Sequence, residues 1–91
     1  MDVRYHFDPD TGLPHIYGHG VTEAEVEYVL QHAGEDRAGR DGSRHALGRT
    51  AAGRYLRVIY VPDEDGDGIF VVTAYEIRGK ALRAYRRRRR R

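Results

Sequence analysis

Basic side chains are concentrated in residues 44–61, which carry four arginines, one histidine and no acidic residue. Apolar and polar positions alternate on either side of Ala51-Ala52-Gly53, which predicts two strands joined by a tight turn. Guanidinium groups gathered on one sheet face are typical of proteins that bind phosphates or carboxylates. A solvated strand face, whose arginines only keep the sheet in solution, fits the composition equally well.

These residue types suit one reaction in particular, the cleavage of an RNA phosphodiester by its own 2′-hydroxyl. That reaction needs a base for the hydroxyl proton, cations for the charge of the phosphorane and an acid for the leaving oxygen. We expect Arg49 and Arg54 to lie close together across the turn and to stabilise this charge. The candidates for proton transfer are His45, Glu76 and Tyr85. Because this route needs neither a metal nor a cofactor, we expect none.

The length and the composition limit the class of protein. The 91 residues predict one domain, residues 1–85, followed by a basic arginine tail, residues 86–91. The absence of cysteine excludes disulfides and thiolate zinc sites. No apolar run approaches the roughly 20 residues of a membrane span, and the start lacks the apolar core of a secretory signal. We therefore expect a cytoplasmic protein that has no membrane partner.

The net charge of +2 hides a polarised distribution. Residues 1–43 carry −6, residues 44–61 carry +4, residues 62–85 carry −2 and the arginine tail carries +6. This polarity suits a polyanionic partner such as RNA on one side of the molecule. The tail is expected to be disordered in isolation because its charges repel one another. Further contacts with an RNA backbone are assigned to Arg57, Arg78, Lys80 and Arg83.

The pattern along the chain predicts an α+β fold. Thr22-Glu23-Ala24-Glu25 is a capping box, and the apolar stripe that follows predicts a helix over residues 23–33. Alternation predicts strands at about 3–7, 43–50, 54–61 and 69–77, with a charged loop at 35–42 and a second helix from Gly79. We therefore expect a small antiparallel sheet of three to four strands, flanked by a helix in the N-terminal half and a C-terminal helix.

Three short motifs, taken in this order, resemble a known family. His19-Gly20-Val21 precedes a glutamate-rich helix, Gly48-Arg49-Thr50 precedes the basic turn, and Val72 to Glu76 leads to a helix that carries Tyr85. The chain resembles the BrnT family of ribonuclease toxins, within the RelE/ParE-like superfamily, over residues 15–85. The resemblance implies a RelE-like fold, metal-independent cleavage of mRNA, and a cognate antitoxin protein that carries an acidic segment. It places the strand arginine of the family on Arg49 and its helix tyrosine on Tyr85.

The end of the last strand departs from the family pattern. The family tends to have Ser-Ala-Arg where this chain has Thr73-Ala74-Tyr75, so an arginine near the scissile phosphate is missing unless Arg54 or Arg78 replaces it. The sequence therefore leaves two main functions open: an RNA-cleaving toxin, or a non-catalytic module that binds an acidic protein or nucleic acid through its arginine face. A third possibility, a housekeeping scaffold, predicts no salt-dependent retention of RNA.

Overall fold

The computed structural model describes residues 2–90, in which a five-stranded sheet carries helices on both faces. The strands are β1 (Asp2–Tyr5), β2 (Glu35–Ala38), β3 (Arg44–Arg49), β4 (Tyr55–Pro62) and β5 (Gly68–Glu76). The helices are α1 (Glu23–Gln31) and α2 (Gly79–Arg89), and a short 3-10 helix (His15–His19) precedes α1. None of the helices in residues 2–90 is long and apolar enough to cross a membrane.

The sheet corrects the predicted architecture, although the class is α+β. The strand order is β1-β5-β4-β3-β2; β1 runs parallel to β5, and the other pairs are antiparallel. The predicted antiparallel sheet of three to four strands is therefore wrong. Strand β2 was not predicted, and its residues were assigned to a loop, because the segment Glu35-Asp36-Arg37-Ala38 is a charged edge strand without apolar alternation. The direction of β1 depends on a pairing between the two ends of the chain, which alternation does not encode.

Helix α1 begins where its capping box predicts. The Thr22 hydroxyl accepts a hydrogen bond from the Glu25 amide at 3.2 Å, and the Glu25 carboxylate accepts one from the Thr22 amide at 3.1 Å. Val21 and Val26, which flank the cap as a hydrophobic staple, are both buried. The helix ends at Gln31, two residues earlier than predicted, and His32 is its C-cap. The early end leaves His32 at the mouth of a cleft rather than inside the helix.

The sheet has a separate core on each face. The larger core lies on the α1 side and contains Ile16, Val21, Val26, Val29, Ala46, Leu56, Val58, Tyr60, Ile69, Val71 and Ala74. The smaller core lies under α2 and contains Leu47, Ile77 and Tyr85, with Tyr55, Tyr75 and Leu82 packed against it. These α2 contacts come from the end of β3, the start of β4 and the end of β5. Helix α2 therefore covers only one end of its sheet face.

The arginine tail continues a helix. Helix α2 extends through Arg89, so the predicted disorder of the tail is wrong for residues 86–89; Arg91 lies outside the described residues. Arginine is a good helix former, and cations near a helix C-terminus complement the helix dipole. Arg88 also pairs with both carboxylate oxygens of Glu35 on β2, which ties the end of α2 to the sheet.

Candidate functional site

A cleft of about 440 Å³ opens between the C-terminal end of α1, the turn between β3 and β4, and α2. This volume lies within the roughly 300–1,000 Å³ that is common for ligand sites. Among the described residues its lining contains no acidic side chain, and consists mainly of four arginines, three tyrosines and a histidine: Arg49, Arg86, Arg89, Arg90, Tyr28, Tyr55, Tyr85 and His32. Arginines beside exposed aromatic rings can bind the phosphates and bases of single-stranded nucleic acid.

The cleft arginines come from two elements. Arg49 is the exposed last residue of β3, opposite Tyr55 on β4, whereas the other three lie at the end of α2. The guanidinium carbon of Arg86 lies 5.9 Å from the centre of the Tyr55 ring, within cation–π range. Arg89 donates a hydrogen bond to the Gly34 carbonyl oxygen at 3.1 Å. Within residues 2–90 these arginines form no ion pair with a carboxylate, so their charge is free to meet an anion.

Tyr85 is a buried wall of the cleft, only 4% exposed. Its ring meets that of Tyr55 edge to face, with centroids 6.0 Å apart. Gly34 allows this packing, because a Cβ at that position would lie 2.0 Å from the Tyr85 hydroxyl oxygen. Burial raises the pKa of Tyr85, although nearby Arg89 opposes the shift. Tyr85 therefore keeps its proton at neutral pH and can donate a hydrogen bond to an anion.

His32 is oriented by the end of α1. Its Nδ1 lies 2.9 Å from the Tyr28 carbonyl oxygen, and its ring stacks on the Tyr28 ring with centroids 4.2 Å apart. A carbonyl oxygen only accepts hydrogen bonds, so Nδ1 carries the proton and the neutral ring has its lone pair on Nε2. His32 is thus a candidate proton acceptor that lines the same cleft as Arg49.

The structure brings Arg49 and Tyr85 into one cleft, but it does not place Arg54 with them. The expectation that Arg49 and Arg54 lie together is wrong. The guanidinium of Arg54 turns toward the N-terminal end of α1, where it donates to the Gly20 carbonyl oxygen at 3.0 Å and pairs with Glu25 at 2.9 Å. Side chains two residues apart on a strand share one face, which explains the separation. Arg49 lies two residues after Leu47, a residue of the core under α2, whereas Arg54 lies two residues before Leu56, a residue of the core on the α1 side.

Glu76 lies with Arg54 rather than in the cleft. Its carboxylate is 3.0 Å from Arg78 and 3.5 Å from Arg54. These two arginines, Arg78 most strongly, lower the pKa of Glu76, so it stays ionised at neutral pH. We call the group formed by Glu25, Arg54, Glu76 and Arg78 the ion-pair cluster; its carboxylates are occupied by arginines.

His45 lies on the α2 side of the sheet, outside the cleft lining. Arg57 donates a hydrogen bond to His45 Nδ1 at 3.0 Å. Because a guanidinium only donates, the lone pair of the neutral ring is on Nδ1 and the proton is on Nε2. Burial, then Arg57 and Arg37, lower the pKa of His45 and favour this neutral form. Its basic nitrogen is therefore already occupied.

The predicted contacts with an RNA backbone also lie outside the cleft lining. Arg57 is engaged with His45, and Arg78 belongs to the ion-pair cluster. Lys80 and Arg83 are exposed on the first half of α2. Within residues 2–90, no group of three or more histidine, aspartate or glutamate side chains is arranged to hold a metal ion.

Sequence reasoning missed several residues that form the cleft. They are Tyr28, His32, Tyr55, Arg86, Arg89 and Arg90. Two signals were present: Tyr28 and His32 are four residues apart, as on one helix face, and the arginine run continues the helical spacing of Tyr85. Treating that run as helix would have placed Arg86 and Arg89 near Tyr85. The meeting of the ends of α1 and α2 has no local signal.

The fold and the cleft define a small α+β protein with a basic, aromatic-lined cavity. The chain belongs to the DUF4258 family, described as a domain of unknown function, whose family model matches residues 18–76. Comparisons with curated proteins and with solved structures gave no match. The matched segment includes α1 and strands β2 to β5, and hence Arg49 and His32, but it ends before α2. The α2 side of the cleft therefore lies outside the matched segment.

Proposed function

We propose that the protein is the toxin of a type II toxin–antitoxin pair, an endoribonuclease that cleaves mRNA in the cytoplasm without a metal. The observation that carries this proposal is the cleft, in which four arginines, three tyrosines and one histidine converge without an acid. We further propose that the chain is related to the BrnT-like toxins of the RelE/ParE-like superfamily. The position of Arg49 and Tyr85, the two residues assigned from that resemblance, in one cleft supports this relationship.

Proton transfer in the proposed reaction falls to His32. Its Nε2 takes the proton of the 2′-hydroxyl, and the resulting oxygen attacks the adjacent phosphorus. The bond from phosphorus to the 5′-oxygen then breaks, leaving a 2′,3′-cyclic phosphate on one fragment. The leaving 5′-oxygen takes a proton from solvent and becomes a hydroxyl. His45 is poorly suited to this role because its Nδ1 already accepts a hydrogen bond from Arg57.

The arginines stabilise the charge that develops on the phosphorane. Arg49 and Arg86 offer guanidinium groups without a competing carboxylate within residues 2–90, and such groups bind phosphate oxygens through paired hydrogen bonds. Tyr85, protonated at neutral pH, donates a further hydrogen bond to a non-bridging oxygen. Losing one such electrostatic group typically costs about 10²–10³ in rate.

A second candidate function is the binding of RNA without cleavage. It is favoured by the ion-pair cluster, in which two of the predicted catalytic residues, Arg54 and Glu76, are engaged with other side chains. The presence of Tyr75 where the resembled family tends to have arginine points the same way. In that case the cleft would hold RNA with a strong dependence on salt, and the RNA would remain intact.

The test compares the purified full chain with Arg49→Ala, using total RNA with and without EDTA. Arg54→Ala is the matched control, since it removes an arginine of the same hairpin that lies outside the cleft. We expect cleavage that survives EDTA, yields cyclic phosphate ends and falls about 10²–10³-fold in Arg49→Ala. Expression should arrest bacterial growth, and Arg49→Ala should relieve the arrest. Salt-dependent retention without products would favour the second function, and the absence of both would reject the two proposals.

A further inference from the structure

Three histidine rings lie in a row beside β5. His15 and His19 are the first and last residues of the 3-10 helix, and their ring centroids are 5.1 Å apart. His6 lies on the other side of His15, with centroids 5.6 Å apart. The row ends at two rings of β5: Phe70 is 6.4 Å from His6, and Tyr75 is 6.1 Å from His19. None of these five side chains is among the described residues that line the cleft.

The ring nitrogens of His15 and His19 are available to a ligand. Within residues 2–90 they form no hydrogen bond, whereas one nitrogen of His32 and one of His45 is engaged. His19 is exposed and His15 is half-buried, so solvent reaches the pair. Imidazole nitrogens are the commonest protein ligands of late first-row transition metals.

The separation of His15 and His19 is that of two imidazoles on one metal ion. A histidine nitrogen binds Zn²⁺ at about 2.0–2.1 Å, which puts the ring centre about 3.2 Å from the ion. Two such rings at a tetrahedral angle have their centres about 5.2 Å apart. The observed separation is 5.1 Å, and the ring planes are inclined at 78° rather than stacked. The fold therefore already holds both imidazoles at the spacing that one ion requires.

The backbone under the pair is fixed at both ends of the 3-10 helix. Ile16, next to His15, is 1% exposed and anchors the helix in the α1-side core. Gly20 follows His19 directly, and its left-handed backbone, with a φ of 70°, ends the helix there. The Gly20 amide donates to the Tyr17 carbonyl oxygen at 3.0 Å. A site whose backbone is ordered in advance loses less conformational entropy when an ion binds.

The chemistry of the pair defines what it binds. We propose that His15 and His19 bind one divalent transition-metal ion, such as Zn²⁺, through one nitrogen each, with water in the remaining coordination positions. Imidazole suits zinc, nickel and copper, whereas Mg²⁺ prefers oxygen ligands. Structural zinc sites take four protein ligands, so a site with two is expected to exchange its ion with solution. The proposal goes beyond the proposed function, because the proposed cleavage does not use this ion.

His6 is left out of the proposed site. Its ring is 5.6 Å from that of His15, further than the tetrahedral spacing. Within the described range 2–90, no group of three or more histidine, aspartate or glutamate side chains is arranged to hold a metal ion. His6 contacts the pair without belonging to it, so His6→Gln is the matched control. Simple packing of the rings is the competing explanation, and it predicts no saturable metal binding.

The probe is Zn²⁺ alone, titrated into the purified full chain without an added histidine tag or a chelator. Calorimetry measures the affinity and the stoichiometry, and NMR follows the ring protons of the five histidines. We expect saturable binding of one ion per chain that shifts the ring signals of His15 and His19 most. Mg²⁺ at the same concentrations should bind at least ~10-fold more weakly.

Variants of the three rings locate the site. His19→Gln, at an exposed position that tolerates substitution, should weaken Zn²⁺ binding at least ~10-fold, and so should His15→Gln. His6→Gln should change the affinity less than about 2-fold. Circular dichroism confirms that each variant is folded. The proposal is overturned by the absence of saturable binding, by shifts confined to His32 and His45, by equal binding of Mg²⁺, or by an equal loss in His6→Gln.

RNA cleavage separates this proposal from the proposed function. His19→Gln should cleave RNA in EDTA at the wild-type rate, because neither His15 nor His19 is among the described cleft residues. Cleavage without Zn²⁺ binding would overturn the metal site alone. Zn²⁺ binding by a chain that leaves RNA intact would support the metal site and reject only the cleavage.

Discussion

Arg49 and Arg54 flank the same turn but have opposite electrostatic surroundings. Arg54 is 32% exposed, pairs with Glu25 and Glu76, and donates to the Gly20 carbonyl oxygen, so it joins α1 to the sheet. Arg49 is exposed at the cleft and forms no ion pair within residues 2–90. The number of arginines in a hairpin therefore says little about its capacity to bind anions. That capacity depends on which carboxylates the rest of the fold supplies.

The two histidines differ in the same way. His32 donates from Nδ1 to a carbonyl oxygen, which leaves the lone pair of its neutral ring on Nε2. His45 accepts a hydrogen bond at Nδ1 from Arg57, and this bond uses the lone pair of the neutral His45 ring. One residue type thus has two different capacities because its hydrogen-bond partners differ. Only His32 lies in the cleft with Arg49.

Replacement of Arg49 is the sharpest test of this comparison. Arg49→Ala should lower kcat/KM for RNA cleavage about 10²–10³-fold. The substitution removes a guanidinium that has no carboxylate partner within residues 2–90 and that stabilises the charge of the phosphorane. Arg49→Lys should recover only part of the loss, since lysine retains the charge but not the paired hydrogen bonds of a guanidinium. The melting temperature should be unchanged in both variants. A comparable loss of cleavage in folded Arg54→Ala would contradict the distinction between the two arginines.

The next largest effect is expected at the histidines. His32→Ala should reduce the cleavage rate roughly 10²-fold by removing the general base, whereas His45→Ala should change it little. Single-turnover cleavage rates of the two variants check this assignment. A large loss of rate in His45→Ala with little change in His32→Ala would reverse the roles.

Much of the fold followed from local patterns in the sequence. The hydrogen bonds between Thr22 and Glu25 depend on residues three positions apart, so the start of α1 was predictable. Alternation likewise located β3, β4 and β5 to within a residue or two. Strand β2 is held at the edge by its backbone pairing with β3 and by contacts of its charged side chains, such as that of Glu35 with Arg88, 53 residues further along the chain. Such contacts leave no apolar period in the sequence, which explains why the strand was missed.

The candidate site was less predictable because its parts come from distant segments. The pattern identified Arg49, and the family resemblance placed Tyr85 in the C-terminal helix. Neither could show that the ends of α1 and α2 approach each other, which brings His32 and Arg86 to the same cleft. Like-charge repulsion suggested a disordered tail, but the pairing of Arg88 with a carboxylate on the sheet offsets part of that repulsion.

Arg54 should matter for stability rather than for cleavage. Arg54→Ala leaves Glu25 without its guanidinium partner and the Gly20 carbonyl oxygen without a donor, so we expect the free energy of unfolding to fall by about 1–3 kcal/mol. Urea denaturation followed by circular dichroism measures this loss. Cleavage at a temperature where the variant is folded should remain near the wild-type rate. Arg49→Ala serves as the control. An equal loss of stability in Arg49→Ala would contradict the assignment of a stabilising role to Arg54 alone of the two arginines.

The smallest effect concerns the attachment of the arginine end of α2 to the sheet. A hydrogen bond from Arg88 lowers the pKa of Glu35, and burial opposes it. Because the folded pKa lies below the ordinary value of about 4.3, the stabilisation is complete above that pH and is lost as the pH falls through the folded value. Glu35→Gln should therefore make the free energy of unfolding depend less steeply on pH below about 4.3.

Urea denaturation at a series of acidic pH values measures that slope for the wild type and for Glu35→Gln. Arg88 is 39% exposed, so solvent screens the pair and the effect should be modest. Glu64→Gln is a suitable control, since Glu64 is exposed and forms no ion pair within residues 2–90. If Glu35→Gln and the wild type have the same slope, the carboxylate does not anchor α2. The position of Arg86 and Arg89 in the cleft would then depend on the packing of Tyr85 and on the hydrogen bond from Arg89 to the Gly34 carbonyl oxygen. Gly34, which takes part in both contacts, would become the residue that fixes the site.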